Sequence, residues 1–585
     1  MEKVVSKIKG IWDKTEVWQK IAFVAFVLNF FLVAQLFLPH LNEINLWDES
    51  DYVHSGVFLI EGLWPSYAWN PLLAIVYAIF YFITRQSPYG TLESITLGRI
   101  LLFCLLWLAV YLLARDLKEY INPGWLLGIA FVAPLFTDIL TNPSDALFGA
   151  MAGLTFWQLL NFYKNKSPKN LAGASTFLGL AALSRNDGLI LFFVTLALTL
   201  VFSVKNKIKL PEWGIAIVVP FWLLVGGYIL LFWAVRGVFE FGTPARSYVA
   251  FMQGHQLVYS RADDCQLSFQ KCAVADAIQK FGSPEENNNS VLKAILRNPG
   301  AFLERIKVII LTLPGNFYGA YGMRLAYGFI IFGILGILYL LQTQQYFILS
   351  ILVSWPLYLV IYFSTFIRPG YLQSSYFILF ILSAFGLKAL TDQIQNGKRL
   401  WVWGGLLVLL TLVGFVAQLP SLYFTTIILL AATIVARLIH ISGKLPVNFS
   451  PAASMLLFLF AGVLIRGQYP VLVGRAFGEI PEEQALVVLQ NSFDTNTYIG
   501  AGARGVVYAA HMRHFSLGAF SLVSLSDDEF YQTLKDSDVK GIYVDGTLSK
   551  DNKAMWQMIE RGIDTRYKVL YSSKDGSIRV LKVVP

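Results

Sequence analysis

Charge is scarce in this chain. Asp, Glu, Lys and Arg make up 14% of its 585 residues, against about 25% in soluble domains. Hydrophobic residues reach 56%, aromatics 15%, and the mean hydropathy is +0.57. That shortage excludes a cytosolic enzyme, a nucleic-acid binder and a disordered scaffold, and it implies a polytopic membrane protein. Cysteine is scarce too: three residues are too few for a disulfide scaffold. There is no internal repeat and no low-complexity tract. The net charge of +9 does not by itself point to an anionic partner, because Lys and Arg in a membrane protein collect in cytoplasmic loops and set orientation.

The little charge there is lies unevenly. Residues 475–585 carry about 24% charged residues and the preceding 474 about 12%, so a boundary near 475 separates a membrane body, 1–474, from a water-soluble domain, 475–585. Apolar runs long enough to cross a hydrocarbon core lie near 21–38, 98–114, 125–140, 145–163, 171–184, 188–204, 213–235, 326–342, 346–363, 372–390, 400–418, 421–439 and 452–466. Five lysines from Lys3 to Lys20 hold the N-terminus in the cytoplasm, and the first span reads as an anchor. The loop that follows, 39–69, has no Lys or Arg but five acids, which places it outside.

The shorter run 71–83 decides the topology. Read as a helix lying in the outer interface, it leaves Arg115/Lys118, Lys164/Lys166/Lys169 and Lys205/Lys207/Lys209 all inside; read as a span, it puts all three outside. The fold class is thus a polytopic α-helical membrane protein of about thirteen spans in the plasma (bacterial inner) membrane, with external loops 39–97 and 236–325 and a C-terminal external α/β domain. In that domain, Ala485–Leu489, Val506–Ala509, Gly541–Asp545, Lys568–Tyr571 and Ile578–Val583 read as strands. Ser526–Lys535, opening on a capping signature, and Lys553–Arg561 read as helices. Cys265 and Cys272 share the second external loop, where an oxidising compartment permits a small disulfide loop; two free thiols are the alternative.

The spans are nearly free of ionisable groups, which argues against an ion-coupled transporter. The charges gather instead at the outer surface. In Leu46-Trp47-Asp48-Glu49-Ser50-Asp51-Tyr52-Val53-His54-Ser55, helical spacing puts Asp48, Asp51 and Ser55 on one face and leaves Trp47, Tyr52, Val53 and Phe58 to lie against lipid. A carboxylate partly desolvated at such a surface acquires a pKa suited to a general base; the alternative is an ordinary solvated acidic loop. Asp48, Asp51 and His54 have a spacing that can bring metal ligands together. With no second His and no Cys nearby, no metal or other cofactor is expected.

Asp48-Glu49 followed by Tyr52, just after the first span, resembles the Asp-Glu motif of GT-C fold glycosyltransferases. In layout the chain is most similar to the bacterial aminoarabinose-to-lipid-A transferases and the protein O-mannosyltransferases. Asn70-Pro71-Leu72-Leu73 resembles the Pro-Pro-Leu start of their interfacial helix, and Gly98-Arg99-Ile100 resembles the Arg that opens the next span. Asn142-Pro143-Ser144-Asp145-Ala146-Leu147 resembles the second acidic motif. Leu183-Ser184-Arg185-Asn186-Asp187-Gly188 resembles a basic-Gly turn, and Arg368-Pro369-Gly370-Tyr371 the late basic-Tyr motif. Asn70 stands where the aminoarabinose transferases carry a charge.

The resemblance implies a polyprenyl-phosphate-sugar donor and a lipid, protein or polysaccharide acceptor at the membrane, with no nucleic acid involved. Its site residues would be Asp48 as general base, Glu49 and Asp145 as orienting or sugar-binding acids, and Arg99 as the first phosphate ligand, with Arg185 and Arg368 as further candidates. Tyr52 and Asn70 would line the substrate. For the three arginines the alternative is a side chain snorkelling from a helix end, and for Asp145 a helix N-cap. A non-enzymatic flippase or exporter of lipid-linked saccharide is the rival reading. It needs a polar route through the bilayer, and the sequence supplies few residues for one.

Overall fold

A computed structural model gives the fold. It describes residues 15–34, 46–62, 70–87, 90–132, 143–237, 244–259, 269–321, 323–364, 376–396, 400–416, 481–502, 526–545 and 553–584, with isolated stretches between. Along the chain run α1 (Val17–Val33), α2 (Leu46–Ile60), α3 (Pro71–Thr84), α4 (Gly90–Asp116), α5 (Pro123–Val132), α6 (Pro143–Asn165), α7 (Pro168–Ser184), α8 (Asp187–Lys205) and α9 (Leu210–Arg236). Next come α10 (Pro244–Gln253), α11 (Phe269–Phe281), α12 (Val291–Arg297), α13 (Pro299–Tyr321), α14 (Met323–Gln342), α15 (Tyr346–Ser354) with a 3-10 continuation (Trp355–Ser364), α16 (Tyr376–Asn396) and α17 (Leu400–Val416). The C-terminal region adds α18 (Pro481–Ser492), β1 (Tyr498–Ala501), β2 (Arg513–Ser516), α19 (Asp527–Asp536), β3 (Val539–Val544), α20 (Lys553–Arg561), β4 (Tyr567–Ser572) and β5 (Arg579–Val583).

Described helices overlap the expected span positions from 21–38 through 400–418, with 35–38, 133–140, 373–375 and 417–418 outside the described residues. The run 421–439 is described only at isolated positions, and 452–466 lies outside the described residues. Among the described residues, α4, α8, α9 and α15 with its 3-10 continuation are long and apolar enough to cross a membrane. Helix α3 is apolar but has 14 residues, about 21 Å of rise against a hydrocarbon core of about 30 Å.

The chain divides into two compact units. The first joins residues 1–34 to 101–469 and the second joins 35–100 to 470–585. In the first, α6 pairs with α7, α7 with α9, and α14 with α16. Two glycines lie at the α14–α16 contact. A Cβ on Gly336 would run into the carbonyl oxygen of Leu382, and one on Gly386 into that of Phe332. Helix α6 is buried on nearly all sides from Asp145 to Phe156, which makes it the central pillar of this unit.

In the second unit, α2 packs on α3. Tyr52 and Val53, expected to face lipid, are 4% and 3% exposed. The α2–α3 contact takes the apolar face of α2 into protein instead. The C-terminal sheet has the order β2-β1-β3-β5-β4, parallel from β2 to β3 and antiparallel beyond. Ser526 caps α19 in a reciprocal capping box with Glu529. Residues 485–489, expected as a strand, lie in α18, and Val506 and Val507 are helical rather than extended. His511, at φ 61°, ties this region to the helices of the same unit: its Nε2 lies 2.9 Å from Thr91 Oγ1 and its Nδ1 3.4 Å from Tyr81 Oη.

Candidate functional site

Each unit carries one buried cluster of carboxylate, arginine and tyrosine, built from the motif residues.

In the second unit the cluster is Glu49, Arg99 and Tyr77. Glu49 is on the first turn of α2, Arg99 on α4 and Tyr77 on α3. Arg99 donates from Nε to Glu49 Oε1 at 3.1 Å and from Nη2 to Oε2 at 2.5 Å, a two-point grip between planar groups. Tyr77 Oη donates to the same Oε1 at 2.7 Å. Burial, with Glu49 alongside, pushes the Tyr77 phenol well above its usual range, so it remains a donor. Gly98 makes room for the ring: a Cβ there would sit 2.6 Å from Tyr77 Cε1. The Glu49 and Arg99 side chains are 1% and 4% exposed. Taking two charges out of water costs several kcal/mol per ion, offset only when geometry and hydrogen bonds are complete, as they are for Glu49.

Asp48 precedes Glu49 on α2, and its side chain lies outside the described residues. Asp51 and Ser55, expected on one face with it, are 8% and 2% exposed, and Ser55 Oγ has no hydrogen-bond partner among the described residues. His54 is pulled down to about 4 by burial, with His511 and Arg513 adding to the effect, so it stays neutral. Asn70 caps α3 ahead of Pro71, extended as a residue before proline should be.

In the first unit the cluster is Asp145, Arg185, Asp187 and Tyr362. Asp145 lies in the first turn of α6 rather than at its N-cap, and Asp187 opens α8; both carboxylates gain from a helix N-terminus. Arg185 ends α7 in an extended conformation, which turns its side chain back onto both. Its Nε donates to Asp187 Oδ2 at 3.0 Å, its Nη1 to Asp145 Oδ1, and its Nη2 lies 2.6 Å from Tyr362 Oη. Tyr362 Oη in turn donates to Asp187 Oδ2. Among the described residues the cluster sets two carboxylates against one guanidinium, a balance that suits hydroxyl donors better than phosphate.

Arg99 and Arg185, both expected to hold phosphate, each pair with acids of the chain itself. Arg368 lies outside the described residues. Asp187 was within reach of sequence reasoning, two positions after Arg185. Tyr77 and Tyr362 were not, since each sits in an apolar run where tyrosine reads as packing.

No family model and no curated protein matches the sequence. Several solved structures are similar to it. ArnT from Cupriavidus metallidurans, bound to undecaprenyl phosphate, is 12% identical with a TM-score of 0.49 and 97% of each chain covered. The Archaeoglobus fulgidus oligosaccharyltransferase tethered to an acceptor peptide is 14% identical, with a TM-score of 0.49, covering 97% of this chain and 74% of its own. The archaeal oligosaccharyltransferase AglB from Archaeoglobus fulgidus, in complex with an inhibitory peptide and a dolichol-phosphate, is 13% identical, with a TM-score of 0.45, covering 96% and 74%. At these scores the similarities add no argument to what the two clusters themselves imply.

Proposed function

We propose that this chain is an integral-membrane glycosyltransferase of GT-C type, moving a sugar from a polyprenyl-phosphate carrier to a hydroxyl acceptor on the external face. The observation that carries it is Glu49, 1% exposed and gripped by Arg99 and Tyr77, beside Asp48 on the helix that bears the Asp-Glu motif. A packing role needs no charge there, and a solvated acidic loop would leave the carboxylate wet.

The roles are assigned cluster by cluster. Asp48 takes the proton of the incoming hydroxyl as its oxygen attacks the anomeric carbon. The bond from that carbon to the phosphate oxygen breaks, the polyprenyl phosphate leaves as a stable anion, and single displacement inverts the centre. No strong general acid is needed. Glu49 is a positioning residue for α2 and its base. Asp145 and Asp187, held by Arg185 and Tyr362, accept hydrogen bonds from sugar or acceptor hydroxyls. Charge neutralisation of the phosphate then falls to Arg368 among the arginines of the motifs. The acceptor is a lipid, protein or polysaccharide hydroxyl.

The test uses purified protein, a radiolabelled polyprenyl-phosphate sugar and cell-envelope acceptor. Asp48→Asn is expected to lower polyprenyl phosphate release by about 10²–10⁴-fold, the usual worth of a general base. Release that survives Asp48→Asn removes the proposed base. Vesicle translocation of lipid-linked sugar without release would favour the exporter.

A further inference from the structure

A helix leaves its last carbonyls without an internal donor. Two such ends meet at one side chain of the first unit. Arg305 lies on α13 and is 0% exposed. Its Nη1 donates at 2.8 Å to the carbonyl of Phe251, in the last turn of α10. It also donates at 3.2 Å to the carbonyl of Ser364, the last residue of the 3-10 continuation of α15. Its guanidinium rests 4.3 Å from the Phe251 ring centre and 5.1 Å from that of Phe281. Nε and Nη2 have no partner among the described residues, so the grip consists of Nη1 and the two aromatic rings. Arg99 and Arg185 face carboxylates. Arg305 faces backbone instead, where a cation complements the negative end of each helix.

Packing among α10, α11 and α12 accounts for half of this arrangement. Those helices bury Tyr248, Phe251, Phe281 and Ala294 in one small core, and the Phe251 carbonyl and both rings belong to it. Ser364 does not. It closes the element that carries Tyr362, whose Oη donates to Asp187 Oδ2 and lies 2.6 Å from Arg185 Nη2. Ser364 is two residues beyond Tyr362, about 4 Å of rise in a 3-10 helix. Packing fixes the start of that element: Trp355 and Tyr358 are each 2% exposed, and Trp355 Nε1 donates to Thr195 Oγ1 at 3.4 Å. The far end has the poorer hydrogen-bond geometry of a 3-10 turn, and Arg305 holds it from α13.

We propose that Arg305 is a positioning residue: by capping the end of the 3-10 element it fixes Tyr362, and through Tyr362 the aim of Asp187 and Arg185. Helices α10 to α13 thus supply the carboxylate cluster with a restraint rather than a ligand. Without it, Tyr362 Oη drifts from Asp187 and the two carboxylates lose their fixed aim. That weakens the binding of a hydroxyl-bearing substrate and leaves proton transfer at Asp48 in place. The consequence for substrate rests on the transferase reading, in which the cluster holds sugar or acceptor hydroxyls. The capping contact itself does not.

The test uses the full-length protein in nanodiscs with Arg305→Met, Arg305→Lys and Tyr362→Phe. Hydrogen exchange over 355–364 is expected to rise about tenfold in Arg305→Met, the worth of one hydrogen bond to a charged group, with exchange over 143–165 unchanged. In the polyprenyl phosphate release assay, Arg305→Met is expected to raise the KM of donor or acceptor about tenfold and to leave kcat within about threefold. Arg305→Lys, which keeps the charge, is expected to recover part of that loss. In the Tyr362→Phe background, Arg305→Met should add less than about twofold, because both changes break one chain of contacts. An unchanged KM beside a lower Tm overturns the proposal, as does a KM loss that adds in full to that of Tyr362→Phe, or exchange that rises equally over 143–165. Where Arg305→Met fails to fold, Arg305→Lys carries the same measurements, with an expected KM rise of about threefold. Exchange and a double-mutant cycle on Tm need no turnover. Should wild type release no polyprenyl phosphate, the transferase reading fails, and the Tm cycle decides for Arg305: additive losses overturn its positioning role and non-additive losses uphold it.

Discussion

At the residue scale, the Glu49–Arg99 pair tests whether burial without water has been offset by geometry. Arg99→Met leaves an uncompensated buried carboxylate and is expected to destabilise the protein by about 3–5 kcal/mol. Adding Glu49→Leu should recover much of that loss, because the pair can be replaced but not halved. A double-mutant cycle by thermal unfolding reads the coupling. Tyr77→Phe removes one donor from Glu49 Oε1 and is expected to cost about 1–3 kcal/mol. The acids and arginines of both clusters were legible as types in an order along the chain. Their pairing was not, because which arginine meets which acid depends on contacts between α2, α3 and α4, and between α6, α7 and α8, that periodicity does not encode. Each of Arg99 and Arg185 has an acid of the chain on its guanidinium, a pairing that the order of the motifs does not reveal.

At the element scale, apolar runs marked helices among the described residues, since a helix satisfies every backbone group within its own segment. The C-terminal domain was harder. Ala485-Leu486-Val487-Val488-Leu489 reads as extended because of its valines. Yet Pro481 starts a helix, and the buried Ala485, Leu486 and Leu489 fall on one helical face. Strands β1 and β2 were missed: the first contains Gly500, and the second, Arg513-His514-Phe515-Ser516, is polar. The α14–α16 crossing gives this scale its prediction. Gly386→Val must push α16 off the Phe332 carbonyl and is expected to destabilise by about 1–3 kcal/mol or more, the range for overpacking. Thermal unfolding in detergent checks it, and Gly333→Ala, where an added Cβ meets nothing within 4 Å, is the control.

At the scale of the whole molecule, the second unit is acid-sensitive. Burial holds His54 at about 4, with His511 and Arg513 contributing, and burial lowers His511 as well. The unfolded chain therefore binds more protons than the folded one between pH 6.5 and about 4. Stability is full above pH 6.5 and falls as pH drops through that window, by about 3 kcal/mol for a group shifted this far. Hydrogen exchange over 46–62 and 481–502 at pH 7 and pH 4.5 should show protection lost at the lower pH. His54→Gln should flatten the difference.

The second unit is also assembled from distant stretches, 35–100 and 470–585. About 370 residues emerge from the ribosome between them, which at about 5–20 residues per second is roughly half a minute. Through that interval the α2–α3 hairpin and its acidic motif wait without Thr91 and Tyr81 meeting His511. The maturity of the first loop is thus timed by the last part of the chain to be translated. A ribosome that stalls before codon 511 releases a nascent protein whose first unit is fully translated and whose acidic helix is unfinished.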